Sequence, residues 1–145
     1  MSNYKAKYTL NERDVQPAKV LLENGWKEMN IKWLISEENM GCKSAVLFKA
    51  VIKAGSAHEK HRHKYADELT CIVSGRGRRG MGEENEEWDI GPGDVAFYPR
   101  GLVHWTYGTD PKDPIVAIGV YVGAGSLEGT GYEFVERLKP KALKP

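Results

Sequence analysis

Gly55-Ser-Ala-His58-Glu-Lys-His61-Arg-His63-Lys-Tyr-Ala-Asp67-Glu68-Leu-Thr-Cys71-Ile-Val-Ser-Gly75 holds three of the chain's four histidines, and its reading decides the fold. In an extended chain, side chains two positions apart share a face. His61 and His63 therefore project together, while Arg62 points away. Glu68 opens the apolar run that follows, and a strand there carries it back beside the imidazoles. The fourth histidine, His104, comes just after the turn Pro99-Arg-Gly101-Leu-Val. Three imidazoles and one carboxylate make a mixed nitrogen–oxygen donor set suited to Fe(II), Mn(II), Zn(II), Ni(II) or Co(II). Held octahedrally, such an ion keeps two positions for water, substrate or dioxygen.

Around this stretch the chain reads as short strands. Asn30 to Ile35 places Ile31, Trp33 and Ile35 on one face. Ala45 to Ile52 stops at Gly55, Leu69 to Val73 at Gly75, Val95 to Tyr98 at Pro99, and Ile115 to Val122 at Gly123. Short strands closed by Gly or Pro turns, without intervening helices, predict an antiparallel sandwich or barrel. Residues 11–24 offer one short helical turn, compromised by Pro17. Gly75-Arg-Gly77-Arg-Arg-Gly80 matches GxGxxG in form. It leads into a turn and Trp88, however, so no helix N-terminus meets a phosphate there. A hairpin strand is the expectation.

At 145 residues the chain is of single-domain size, long enough for one core without disulfides. Lys and Arg total 21 against 20 acidic residues. That balance gives no attraction to nucleic acid or to an anionic membrane. Cys42 and Cys71 have no CxxC spacing, and Cys71, inside an apolar run, is expected in the core as a reduced thiol. With no secretory stretch at Met1 and no membrane-length apolar run, a soluble cytoplasmic protein is expected. The basic tail Lys139 to Pro145 is expected to fray.

Gly55-x5-His61-x-His63-x4-Glu68-x6-Gly75 resembles the first cupin motif at every fixed position. Gly93-x5-Pro99-x-Gly101-x2-His104 resembles the second motif as far as its histidine. The second motif usually ends in Asn, and Gly108 stands there instead. The resemblance implies an all-β fold, a double-stranded β-helix in a conical, jelly-roll-like barrel, usually a homodimer with one divalent metal inside. One cupin domain would span 1–145, with its core at roughly 40–122, an N-terminal arm over 1–30 and a loop and tail over 123–145. The implied ligands are His61, His63, Glu68 and His104. Asp67 is a rival carboxylate, but Glu68 keeps the spacing to Gly75 and the strand phase. His58 lies outside the ligand positions, at the surface or in support of the site.

Strand phase then predicts the cavity lining. From Glu68 the inward residues are Thr70 and Ile72, and from His104, Thr106. Trp105 and Tyr107 face the other way. Trp33 and Phe48 are cavity walls or core packing. Beyond Gly75 the phase depends on whether a bulge intervenes. Without one, Arg76 and Arg78 reach the barrel mouth, where paired guanidinium hydrogen bonds would grip a substrate carboxylate. With one, they form a basic hairpin facing water beside Glu83, Glu84, Glu86 and Glu87, as strand charges mostly do. Arg100 is a further candidate substrate contact. Tyr98, or a released Glu68, is the candidate catalytic base. The loop from Gly123 to Tyr132 is either a lid or a surface packing Tyr132 and Phe134 on a partner subunit.

The expected partner is a small-molecule substrate. With Fe(II) favoured, the first expectation is a non-haem dioxygenase acting on a small oxygenated organic acid or carbonyl compound. A non-redox lyase, isomerase or decarboxylase is the alternative, in which the ion acts as a Lewis acid. A cupin that binds a small ligand without turnover is a third reading, since fold does not fix function.

Overall fold

Alternating burial along two long strands builds the centre of the molecule. Val46, Phe48, Ala50 and Ile52 are buried along Ala45–Ile52, and Ile115, Ala117 and Tyr121 along Ile115–Val122. The two strands pair antiparallel with Phe48 opposite Gly119, where any side chain would come within 2.2 Å of the Phe48 ring. Apolar residues at every second position leave the intervening ones for the outer face.

The computed structural model describes residues 3–139, so the tail expected to fray lies, apart from Lys139, outside the described residues. In chain order the strands are β1 (Trp26–Lys27), β2 (Asn30–Ile35), β3 (Ala45–Ile52), β4 (Ala57–His63), β5 (Asp67–Ser74), β6 (Gly77–Met81), β7 (Glu86–Ile90), β8 (Val95–Tyr98), β9 (His104–Gly108), β10 (Ile115–Val122) and β11 (Tyr132–Glu136). One antiparallel sheet runs β1-β4-β9-β6-β7, with β11 also paired to β4; the other runs β2-β3-β10-β5-β8. Facing each other across one main core, the two sheets form the all-β, jelly-roll-like cupin barrel that the motifs imply. Among the described residues no helix is long and apolar enough to cross a membrane.

Four local expectations are corrected. Residues 11–24 hold two separate 3-10 turns, Glu12–Asp14 and Leu22–Asn24, and Glu12 ties the arm to the sheet through Lys32 and Lys49. On β2 the register shifts between Trp33 and Ile35, so Leu34 takes the buried place. Cys71 is exposed, because the inward phase of β5 belongs to Glu68, Thr70 and Ile72. Its neighbours on the outer face, Leu69 and Val73, are exposed as well. Finally, the segment after Gly123, expected as a loop, closes in strand β11 paired to this chain's own β4, with Phe134 packed at Gly25.

The step that matters most for the site is at Gly75. Its φ of 93° is left-handed, a conformation that favours glycine. There the chain leaves β5 in one sheet and enters β6 in the other, and the inward–outward alternation restarts one residue out of phase.

Candidate metal centre

β4 carries His61 and His63 on its inward face, as their spacing requires, and both are 2% exposed. β9 pairs with β4 and sets His104 opposite His61. Glu68 comes from β5 in the facing sheet. The turn before His104 is tied to β4, since the Gly101 N–H donates to the His63 carbonyl at 2.9 Å. The four residues are buried, and each offers a donor atom within 4.8 Å of the other three. Asp67 takes no part; its carboxylate accepts the Arg100 backbone N–H at 3.0 Å.

Each imidazole has its Nδ1 occupied. His61 Nδ1 lies 2.7 Å from the Glu59 carbonyl, and His104 Nδ1 lies 2.9 Å from the Leu102 carbonyl. His63 Nδ1 meets Thr130 Oγ1 at 2.8 Å, while the Thr130 hydroxyl donates to the Leu127 carbonyl. In a neutral ring, an oxygen acceptor at Nδ1 puts the proton there and leaves the lone pair on Nε2. All three lone pairs then point inward. The Nε2 atoms of His61 and His63 are buried without a hydrogen-bond partner. His63 Nε2 and His104 Nε2 stand 3.1 and 3.2 Å from Glu68 Oε1. Lone pairs so placed repel unless a cation or a proton lies among them. Donors at right angles about an ion, each roughly 2.1 Å away, are about 3 Å apart, so the residues fit a divalent cation with three nitrogens and one oxygen.

The charges agree with the geometry. Burial holds the His61 imidazole well below its ordinary range, and the neighbouring histidines push it further down, so it is neutral and ready to ligate. Burial alone would raise the Glu68 carboxyl, but positive charge at the facing His104 and His63 nitrogens outweighs that and holds it well below the usual carboxylate range, the same direction in which a cation among the donors would act. The rings are clamped from the side: Tyr98 stacks on His104 at 3.8 Å and His58 on His61 at 3.5 Å. His58 is thus buried behind a candidate ligand, between Trp26 and His61, rather than at the surface.

Below the donors lies a cavity of about 40 Å³, room for about three waters at the roughly 10–15 Å³ that each needs. Thr70, Ile72, Thr106 and Phe48 line it as expected, whereas Trp33 packs behind Phe48. Trp105 and Tyr107 face outward, where both donate to Glu87. Tyr98 also lines the cavity, and burial pushes its phenol up to about 12, with Arg79 pulling it partly back and Glu68 adding to the rise. The shift favours the protonated form of a phenol that faces the donor cluster.

Of the two readings for Arg76 and Arg78, the water-facing hairpin is the one that matches, and neither they nor Arg100 line the cavity. Arg78 faces outward, with ion pairs to Glu87 at 2.9 Å and Asp89 at 2.7 Å. Arg76 is exposed and lies over Gly91, and Arg100 is exposed near Asp67. The cavity guanidinium is Arg79, which strand counting from Glu68 misses because of the phase change at Gly75. The same glycine-rich run forms β6 of a hairpin, with no helix after it. Gly108, in place of the usual Asn, lies against Lys53, whose carbonyl oxygen any side chain there would meet at 2.4 Å.

Residues 48–121 match the family model described as Cupin domain. No curated protein matches the sequence. Among solved structures, the chain is similar to one described as a predicted oxalate decarboxylase from Thermotoga maritima, with 22% identity and a TM-score of 0.68 over 79% of this chain and 98% of that one. It is also similar to the oxalate decarboxylase of Bacillus subtilis (17% identity, TM-score 0.69, 85% of this chain and 30% of that one). The Lactobacillus farciminis oxalate decarboxylase in complex with formate gives 17% identity and a TM-score of 0.66, over 81% of this chain and 33% of that one. The chain thus spans about a third of the last two enzymes, and the likeness to all three is one of fold.

Proposed function

The chain belongs to the cupin domain family, and from that membership we propose that it is a metal-dependent lyase that removes carbon dioxide from a small oxygenated acid. The observation that carries the reading is the convergence of His61, His63, His104 and Glu68 on one buried point, with the Tyr98 phenol stacked on His104 beside it. A divalent ion at these donors supplies Lewis-acid stabilisation of negative charge on a substrate oxygen. Tyr98 supplies the proton. When the carbon–carboxylate bond breaks, its electron pair stays with the organic fragment, and the phenolic proton replaces the lost carboxylate at that carbon. Solvent then returns a proton to the Tyr98 oxygen. Glu68 is engaged by two histidines and stays in place as a ligand rather than acting as a mobile base.

The ligand set serves Fe(II) as well as Mn(II), Zn(II), Ni(II) or Co(II). Decarboxylation is placed ahead of the dioxygenase reading because the solved structures similar in fold are named as oxalate decarboxylases. The outer face of the sheet holding β5 and β8 exposes Leu69, Val73, Val95 and Phe97, the last at 55%. We assign that face to the contact in a homodimer, because contiguous exposed apolar side chains mark association surfaces.

The test is elemental analysis of protein purified without air, followed by assays on short oxo- and hydroxy-acids under nitrogen and under air. The expected result is one divalent ion per chain and carbon dioxide release under both atmospheres without oxygen uptake. Turnover that requires oxygen and iron would replace this reading with the dioxygenase one. An acid recovered unchanged with every metal would leave a binding module.

A further inference from the structure

Arg79 is 2% exposed, on the inward face of β6. One terminal nitrogen, Nη2, donates to Thr70 Oγ1 at 3.2 Å, and the guanidinium carbon lies 5.6 Å from the Tyr98 ring centre. Its Nε is buried with no hydrogen-bond partner. Among the described residues no carboxylate lies within ion-pairing distance of it. A guanidinium cannot shed its proton, and a full charge buried with only the neutral Thr70 hydroxyl and Tyr98 phenol beside it costs free energy until an anion joins it. Among the described residues, Arg79 and Glu68 are the only formally charged side chains lining the cavity, and Glu68 is turned toward His63 and His104.

The register places this charge relative to the metal centre. Arg79 sits opposite Thr106, two residues along the same face of β9 from His104. Two strand residues advance about 7 Å. Thr70 stands in the same relation to Glu68 on β5, and Tyr98 pairs with Glu68 from β8. The cavity therefore has two tiers. One holds the metal donors and Tyr98, and the next holds Arg79, Thr70 and Thr106.

We propose that Arg79 is the carboxylate anchor of this cavity. The substrate class follows: a short acid with a second oxygen function, its carboxylate on the guanidinium through paired N–H donors and its other oxygen directed at the donor tier. Neutral amides of the same shape are rejected because they leave the charge uncompensated, and acids with long chains are rejected by the volume of about 40 Å³. The direction of the second oxygen rests on the metal-dependent reading above; the anion site itself does not.

The experiment separates the two. Wild type, Arg79→Met and Arg79→Lys are each prepared metal-free and loaded with Mn(II), then given glycolate or its neutral counterpart glycolamide. In the metal-free proteins, glycolate raises the thermal midpoint of wild type and glycolamide does not; Arg79→Met abolishes the difference. In the loaded proteins, calorimetry shows glycolate binding weakened about tenfold or more by Arg79→Met, with Mn(II) content unchanged. Arg79→Lys, which keeps the charge but not the fork, falls between. Equal glycolate affinity in wild type and Arg79→Met would overturn the proposal, as would wild type that treats glycolate and glycolamide alike when metal-free. If Arg79→Met fails to fold, Arg79→Lys and the discrimination by wild type still decide the matter. Failure of wild type to take up any metal would sink the metal-dependent reading and leave the metal-free comparison intact.

Discussion

Thr130 Oγ1 lies 2.8 Å from His63 Nδ1 while its own hydroxyl donates to the Leu127 carbonyl. A loop residue 67 positions downstream thereby fixes the tautomer of a candidate metal ligand. Thr130 is fully buried, so no water substitutes for it. Partners of this kind orient a ligating imidazole and raise its basicity.

Thr130→Val keeps the shape and removes the acceptor. Metal affinity is expected to fall about 10–100-fold, read by competition with a chelator, and Thr130→Ser is expected to restore most of it. Unchanged affinity in Thr130→Val would show that this hydroxyl has no part in the site.

Among the histidines, His104→Ala is expected to abolish stoichiometric metal binding. His58→Phe, which preserves the ring stacked between Trp26 and His61, is expected to retain the ion. Elemental analysis of the two variants decides the point. Full metal content in His104→Ala would remove it from the ligand set.

His58 and His61 are held well below 6.5 in the fold, chiefly by burial. The unfolded chain titrates them near 6.5, so below that pH it takes up protons that the folded chain refuses. Stability present above pH 6.5 is therefore lost as pH falls below it, by up to about 1.4 kcal/mol per pH unit for each imidazole. Thermal midpoints of the metal-free protein from about pH 7.5 to about 5.5 should show the decline, with a shallower slope in His58→Phe. Parallel slopes would mean that His58 does not contribute.

The exposed row on β5 and β8 predicts association. Sedimentation should give a dimer for wild type and a monomer for Val95→Glu combined with Phe97→Glu, since charges at the centre of an apolar interface are desolvated without partners. A wild-type monomer, or an unchanged dimer in the variant, would dismiss this face as the contact.

Glu59 is 1% exposed and binds Arg137 Nη1 at 2.7 Å and the Leu138 N–H at 2.8 Å. Glu59→Ala leaves the Leu138 donor unpaired and is expected to cost about 1–3 kcal/mol, read by denaturant unfolding. A stability equal to wild type would show that the C-terminal segment docks without this carboxylate.

The candidate ligand set was legible in the sequence partly through short-range geometry and, for the distant His104, through the resemblance to the second cupin motif. His61 and His63 share a face by strand alternation, and Glu68, Thr70 and Ile72 keep that phase along β5. The strands Ala45–Ile52 and Ile115–Val122 were equally plain, since their burial alternates without a break. Arg79 was hidden because alternation does not survive a left-handed glycine at a crossing between sheets; allowing for a bulge at Gly75 would have pointed to it. Cys71 was misread for a related reason: an apolar run on an open sheet face looks like core until the outer face is seen.

The sequence by itself determined which side chains could hold a metal and on which strands they lie, since covalent geometry sets side-chain direction over a few residues. Only the tertiary structure decided that Thr130 holds His63, that Tyr98 stacks on His104, and that Arg79 rather than Arg76 or Arg78 enters the cavity. Those outcomes depend on packing between distant segments and on burial, which no local pattern of residues encodes.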